Sequence, residues 1–200
     1  EALSISTSLT SVSLLCNEFD MEATTMFLKV KEKHPKLKTL CGLTHDETEL
    51  NYFNQHLGLA DAMLLAPELS VMTSLTQVDL SNNEIGGHWE GQKFIAKPEG
   101  PKAIAHALGI NTSLTVLHLR DNRLGPDGGK ALAPGLAAHT SLTKLDISQN
   151  NLGPTGGKEL AVGLAISASL THLGVRNNNL DEKSKALLKN AVKGKRRFKR

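Results

Sequence analysis

The apolar residues of this chain fall into columns. Set in rows starting at Leu9, Glu47, Leu75, Leu114, Leu142 and Leu170, it repeats the pattern L-x-x-L-x-L-x-x-N-x-L. "LTVLHLRDNRL", "LTKLDISQNNL" and "LTQVDLSNNEI" are the clearest rows; "LTHLGVRNNNL" and "LTSVSLLCNEF" follow. "ETELNYFNQHL" departs from it, with Glu47, Tyr52 and Gln55 at signature positions. The L-x-L alternation predicts a short strand with two side chains on one face and the intervening residue on the other. Each strand leads into a segment with apolar residues four apart, Leu132 and Leu136 or Leu160 and Leu164, which predicts a helix with one buried face. Asp127 and Thr155 are expected to cap those helices. A column of Asn17, Asn83, Asn122, Asn150 and Asn178 stands where each strand must turn, and its amides can satisfy backbone groups there.

Leu114, Leu142 and Leu170 are 28 residues apart, as are Glu47 and Leu75. On these rows and this period the chain resembles the leucine-rich repeat family, and its helical second halves are similar to the ribonuclease-inhibitor-like subfamily, which includes the sensor arrays of nucleotide-oligomerisation-domain-like receptors. The resemblance implies an α/β fold, a curved solenoid or horseshoe with parallel strands on the concave face and helices on the convex face. No coil buries its apolar face alone, so each depends on its neighbours.

The organisation expected is a single repeat domain over residues 1–200, with about six repeats. The phrase "LSISTSLT" from Leu3 returns as "LAISASLT" from Leu164, six residues before the row at Leu170. Residues 1–8 therefore read as the end of a preceding repeat, and upstream repeats or another domain are expected. An exposed apolar end formed by Leu3, Val12 and Leu14 follows from that reading. Residues 181–200 read as a cap helix, with Leu188 and Val192 on its buried face, and a basic tail. Residues 183–200 carry nine Lys or Arg and no acid, which leaves the rest at a net charge of −6 although the chain totals +3. "KGKRRFKR" fits a nuclear-import signal, an anionic-surface contact or a soluble frayed end.

Two rows are long. The first has about ten extra residues near "KLKTLCGLTHDE", between helix and strand; the second has extra residues near "HWEGQKFIAKP", between strand and helix. Such loops are expected on opposite rims. The second holds the only tryptophan, Trp89, with Phe94 and Ile95. It reads either as a partner site, because tryptophan is enriched at binding hot spots, or as a rim cover, which the size of the indole favours.

Other motifs carry no chemistry. "GPDGGK" and "GPTGGK" are one residue short of a phosphate loop and lack its Ser/Thr, and they recur in one column, so they read as structural turns. Cys16, His34, Cys41 and His45 lack zinc-site spacing. His118 and His172 stand two strands apart, roughly 10 Å from adjacent-strand spacing. No catalytic order of Ser, His and Asp stands out, and no cofactor or metal is expected. With two cysteines and no run of 18 apolar residues, nothing reads as a disulfide framework or a membrane span, and the chain is expected in the cytoplasm, or in the nucleus if the tail acts as an import signal.

The column between the strand leucines reads Ser13, Asn51, Asp79, His118, Asp146 and Gly174; the next reads Leu15, Phe53, Ser81, Arg120, Ser148 and Arg176. Asp79, His118, Arg120, Lys144, Asp146 and Arg176 make a concave face of mixed charge, which suits a protein better than nucleic acid. The function expected is a non-enzymatic protein-interaction scaffold, part of a larger protein. The resemblance offers two alternatives. One is a Ran-directed GTPase activator, whose acidic C-terminal segment is replaced here by a basic one. The other is a cytoskeletal capping domain similar to the tropomodulin repeat domain.

Overall fold

The computed structural model describes residue 6 and residues 8–193. Half of the "LSISTSLT" opening (residues 3–5 and 7) and the "GKRRFKR" end lie outside the described residues. In chain order the elements are helix α1 (Met21–Lys33), strand β1 (Glu49–Asn51), α2 (Leu59–Val71), β2 (Gln77–Asp79), β3 (Gly87–Glu90), β4 (Lys93–Ala96), α3 (Glu99–Ile110), β5 (Val116–His118), α4 (Gly125–Ala138), β6 (Lys144–Asp146), α5 (Gly153–Ile166), β7 (His172–Gly174) and α6 (Glu182–Lys193). Strands β1, β2, β5, β6 and β7 form one parallel sheet in that order. Their helices stack in the same order, so strands line one face of an α/β repeat solenoid and helices the other.

The strand leucines fill the space between sheet and helices. Leu75, Val78, Leu80, Leu117, Leu119, Leu145 and Ile147 are buried there against Leu132, Leu136, Leu160 and Leu164. The asparagine column closes each turn and ties it to the next coil. Asn150 Nδ2 donates to Leu119 O, Ile147 O and Ser148 O, while its Oδ1 accepts from Asn122 N and Leu124 N. Asn178 does the same one coil on. Residues on both sides of the column, such as Asp121 and Arg123 or Gln149 and Asn151, have positive φ, so the chain swings sharply around the buried amide. A second column reinforces the first: the hydroxyls of Thr76, Thr115, Thr143 and Thr171 donate to the carbonyls of Thr48, Thr76, Thr115 and Thr143 at 3.0–3.1 Å.

Three sequence expectations need correction. Asp127 and Thr155 do not cap their helices. Helices α4 and α5 begin two residues earlier, and no side chain caps them. The N–H groups of Gly125 and Gly153 donate instead to Asn150 O and Asn178 O of the following coil. "GPDGGK" and "GPTGGK" form the first turns of these helices. Glycine persists in these helices because they pack closely. A Cβ on Gly135 would stand 2.2 Å from Ala105 O, and one on Gly163 2.3 Å from Ala133 O.

Leu14 does not form an exposed apolar end. It is buried, and Val12 is half-buried against the same core; Leu3 is outside the described residues.

The first long row does not hold a plain loop on one rim. Segment 39–41 pairs with 11–13 through the bridges Ser11 to Thr39 and Ser13 to Cys41. Val12 N donates to Thr39 O and Leu14 N to Leu40 O. Leu37 stands 28 residues after Leu9, and Leu40, Gly42 and His45 follow at the repeat's own spacing, with positive φ at Gly42 and His45. The extra residues are an abbreviated coil, an extended bridged segment and a turn with no helix. The first row's strand therefore meets this coil and not β1.

Helix α2 holds the abbreviated coil in place. Glu68, fully buried, accepts from Thr39 Oγ1 at 2.6 Å, Leu40 N at 2.6 Å and Cys41 N at 3.2 Å, and meets Lys31 Nζ at 3.3 Å and His45 Nε2 at 3.1 Å. Asp61, seven residues earlier and so on the same helix face, accepts from Cys16 N at 2.7 Å and Gly58 N at 2.8 Å. At the other end Asp181 Oδ1 accepts from Ser184 N, and Leu188 of α6 is buried against the last coil.

Candidate protein-interaction surface

Parallel register brings the sequence-selected concave residues into rows. Asp79, His118, Asp146 and Gly174 are successive partners across β2, β5, β6 and β7, and Lys144 faces Val116 on one side and His172 on the other. Arg120, Lys144 and Arg176 are exposed; Asp79, His118 and Asp146 are half-buried. The two aspartates are partly committed to the backbone: Asp79 Oδ1 accepts from Ser81 N at 2.8 Å and Asp146 Oδ1 from Ser148 N at 2.9 Å. Arg120 Nε donates to Gln149 Oε1 at 2.7 Å. Among the described residues none of these six charged groups enters an ion pair. The face is an open row of donors and acceptors, flanked toward α1 by the exposed ring of Phe53.

The second surface is the insertion between β2 and α3. Strands β3 and β4 form an antiparallel hairpin that pairs Trp89 with Phe94 and His88 with Ile95. A Cβ on Gly86 would fall 2.2 Å from Arg123 O, and one on Gly87 2.1 Å from Ile95 O, so glycine lets the hairpin leave the turn close against the next coil. Gly86 N donates to Asn122 O and Lys97 N to Gly86 O, anchoring both ends. Trp89 is neither a buried rim cover nor free. It is 44% exposed, its ring meets Phe94 edge-on at 5.4 Å, and its Nε1 donates to Glu84 Oε1 at 2.7 Å. The guanidinium of Arg123 lies 4.9 Å from the Trp89 ring centroid and 5.4 Å from that of Phe94. Ile95, on the hairpin's other face, is half-buried.

The groups weighed as metal ligands are dispersed among other partners. Cys16 Sγ is 3.4 Å from Gln55 O, His34 Nδ1 accepts from Leu37 N, and His45 faces Glu68. Burial pushes the Cys41 thiol far up, with the Glu68 charge adding to it, so Cys41 behaves as a small apolar residue. Among the described residues no group of three or more His, Cys, Asp or Glu could hold a metal ion. A cavity lined by Leu69, Leu75, Ile104, Leu114 and Leu117 is an apolar gap within the core.

Sequence reasoning missed Glu68, Asp61, Glu84 and Arg123. The 28-residue step from Leu9 to Leu37 could have exposed the abbreviated coil. Nothing in the pattern marked Arg123, whose column reads Glu18, His56, Glu84, Arg123, Asn151 and Asn179.

The "Leucine Rich repeat" family model matches residues 71–87, 111–133 and 138–161. No curated protein sequence matches the chain. Among solved structures, "Leiomodin-1 Actin-Binding Site 2 (ABS2)" is similar with a TM-score of 0.61 and 21% identity, covering 74% of this chain and 80% of that one. The tropomodulin C-terminal domain of Caenorhabditis elegans is similar with a TM-score of 0.59 and 14% identity, covering 89% of this chain and 94% of that one. These matches, the parallel strand order and the stacked helices make the fold a leucine-rich repeat α/β solenoid.

Proposed function

We propose that this chain is a non-enzymatic protein-interaction domain that receives its partner on the concave strand face. The observation that carries the reading is the row of exposed charges without ion-pair partners among the described residues, on or just after neighbouring strands, Arg120, Lys144 and Arg176, held on a sheet whose other side is buried in the leucine core. Such a face offers specificity through charge and hydrogen bonding over a wide area. The test is photo-crosslinking from a reporter at Gln77, which is on the face, in the presence of cell extract. A discrete crosslinked protein that is lost in the triple variant Arg120→Glu, Lys144→Glu, Arg176→Glu supports the reading; capture unaffected by that variant refutes it.

A second reading is actin binding. It is favoured by the leiomodin-1 neighbour, whose structure is that of an actin-binding site. Cosedimentation with filaments and capping of pyrene-actin growth test it directly; no effect at about tenfold molar excess removes it.

A further inference from the structure

Beyond the concave face, we infer that the β3–β4 hairpin is a docking site for an acidic segment of a protein partner, read jointly by Arg123 and Trp89. The inference rests on the interaction-domain reading and names the partner chemistry of one surface.

Arg123 is exposed and enters no ion pair or side-chain hydrogen bond among the described residues. The carboxylates that meet the hairpin's own side chains, Glu84 and Glu90, are engaged by other groups. Glu84 Oε1 accepts from the Trp89 indole N–H, and Glu90 Oε1 lies 3.2 Å from His88 Nε2. Arg123 instead rests on the Trp89 and Phe94 rings. Those cation–π contacts fix the planar fork without satisfying its N–H donors. Part of the entropy of ordering the side chain is thus spent before any ligand arrives.

The free donors of a fixed guanidinium match a carboxylate, to which arginine bonds bidentately. The exposed part of the Trp89 ring lies beside it and offers an apolar seat for the residue next to that carboxylate. The hairpin is held by its backbone bonds to the Asn122 turn, so the pair is presented on a fixed scaffold. Carboxylate plus adjacent apolar side chain is the ligand chemistry that both features select.

Trp89 is the only tryptophan, so its emission reports binding. The probes are two blocked pentapeptides, with glutamate or with glutamine at positions one, three and five and with phenylalanine and leucine between them. Binding is read from Trp89 emission and from amide shifts of residues 87–96 and 123. The expected result is saturable binding of the glutamate peptide with a Kd at least about tenfold below that of the glutamine peptide, a difference that shrinks at high salt. Arg123→Gln, an exposed substitution checked for an unchanged melting curve, should abolish the difference. Equal affinity for the two peptides, absence of binding, or a difference that survives Arg123→Gln overturns the inference. Each of these outcomes can coexist with concave-face crosslinking, so failure here is distinct from failure of the interaction-domain reading.

Discussion

Asn122 and Asn17 occupy the same column but different surroundings. Asn122 is fully buried, and its amide serves Leu80 O and Arg120 O. Asn17 is exposed and, among the described residues, bonds only within its own turn, to Leu14 O and Leu15 O. Asn122→Ala removes those two bonds and takes away the acceptor of the buried Ile85 N–H, 3.4 Å from Asn122 Oδ1. A buried polar group left unpaired costs about 1–3 kcal/mol, so the substitution should lower unfolding free energy by about that amount in a urea titration. Asn17→Ala should change it by under about 0.5 kcal/mol, as an exposed substitution does. Equal effects would remove the account of the column. Trp89→Ala should cost about 0.5–1.5 kcal/mol, the scale of an edge-to-face pair with an exposed cation–π contact, and not the 3–5 kcal/mol or so of an emptied core site. At this scale the sequence was legible wherever one residue type does one job. It was silent where roles come from geometry, as with Asp61 of α2, whose carboxylate accepts from Cys16 N, 45 residues away in the chain.

At the scale of elements, α2 differs from the helices after it. Helices α4 and α5 turn glycine toward the helix before them; Gly163→Ala should destabilise by about 1–3 kcal/mol through overpacking against Ala133 O. Helix α2 turns Asp61 and Glu68 the same way, because its neighbour is the abbreviated coil. Burial alone would raise the Glu68 carboxyl, but the bonds from Thr39, Leu40 and His45 and the Lys31 charge hold it below the usual glutamate range. A folded value below the unfolded one, about 4.3, gives stability that is complete above that value and is lost as pH falls through the folded value. Acid should therefore release residues 38–45 from α2 first. Amide protection at Leu40 and Cys41 is expected to fall below about pH 4 while protection at Leu117 and Leu145 persists, and Glu68→Gln should show the loss at neutral pH. The helices after the strands were legible in the repeat; this joint was not, because a coil without a helix breaks the helical half of the pattern and a ten-residue offset hides its strand half.

The whole molecule is then a solenoid of unequal joints. In a repeat array stability is a sum of coil and interface terms, and unfolding starts where the interface is weakest. From α3 to α6 each helix lies along the one before it, and each strand of the main sheet shares a full parallel ladder with the next. Between α1 and α2 the packing is much thinner, and the first strand is linked through two isolated bridges instead of a ladder. The first coil relies more on polar ties than the later ones do: the Glu68 cluster and Asp61 to Cys16 stand beside the buried Leu14 and an edge-on pair in which Phe19 meets Phe27 at 4.8 Å. Polar bonds to buried charges contribute less net stability than the leucine layers they replace. Opening of residues 11–41 should therefore be a subglobal event with its own free energy. Native-state hydrogen exchange in rising urea should show Val12, Leu14 and the α1 amides exchanging through an opening at least about 2 kcal/mol below that of Leu117, Leu145 and the α4 amides. A single isotherm shared by both sets would mean that the Glu68 joint is as strong as a leucine layer, and that the array unfolds as one unit.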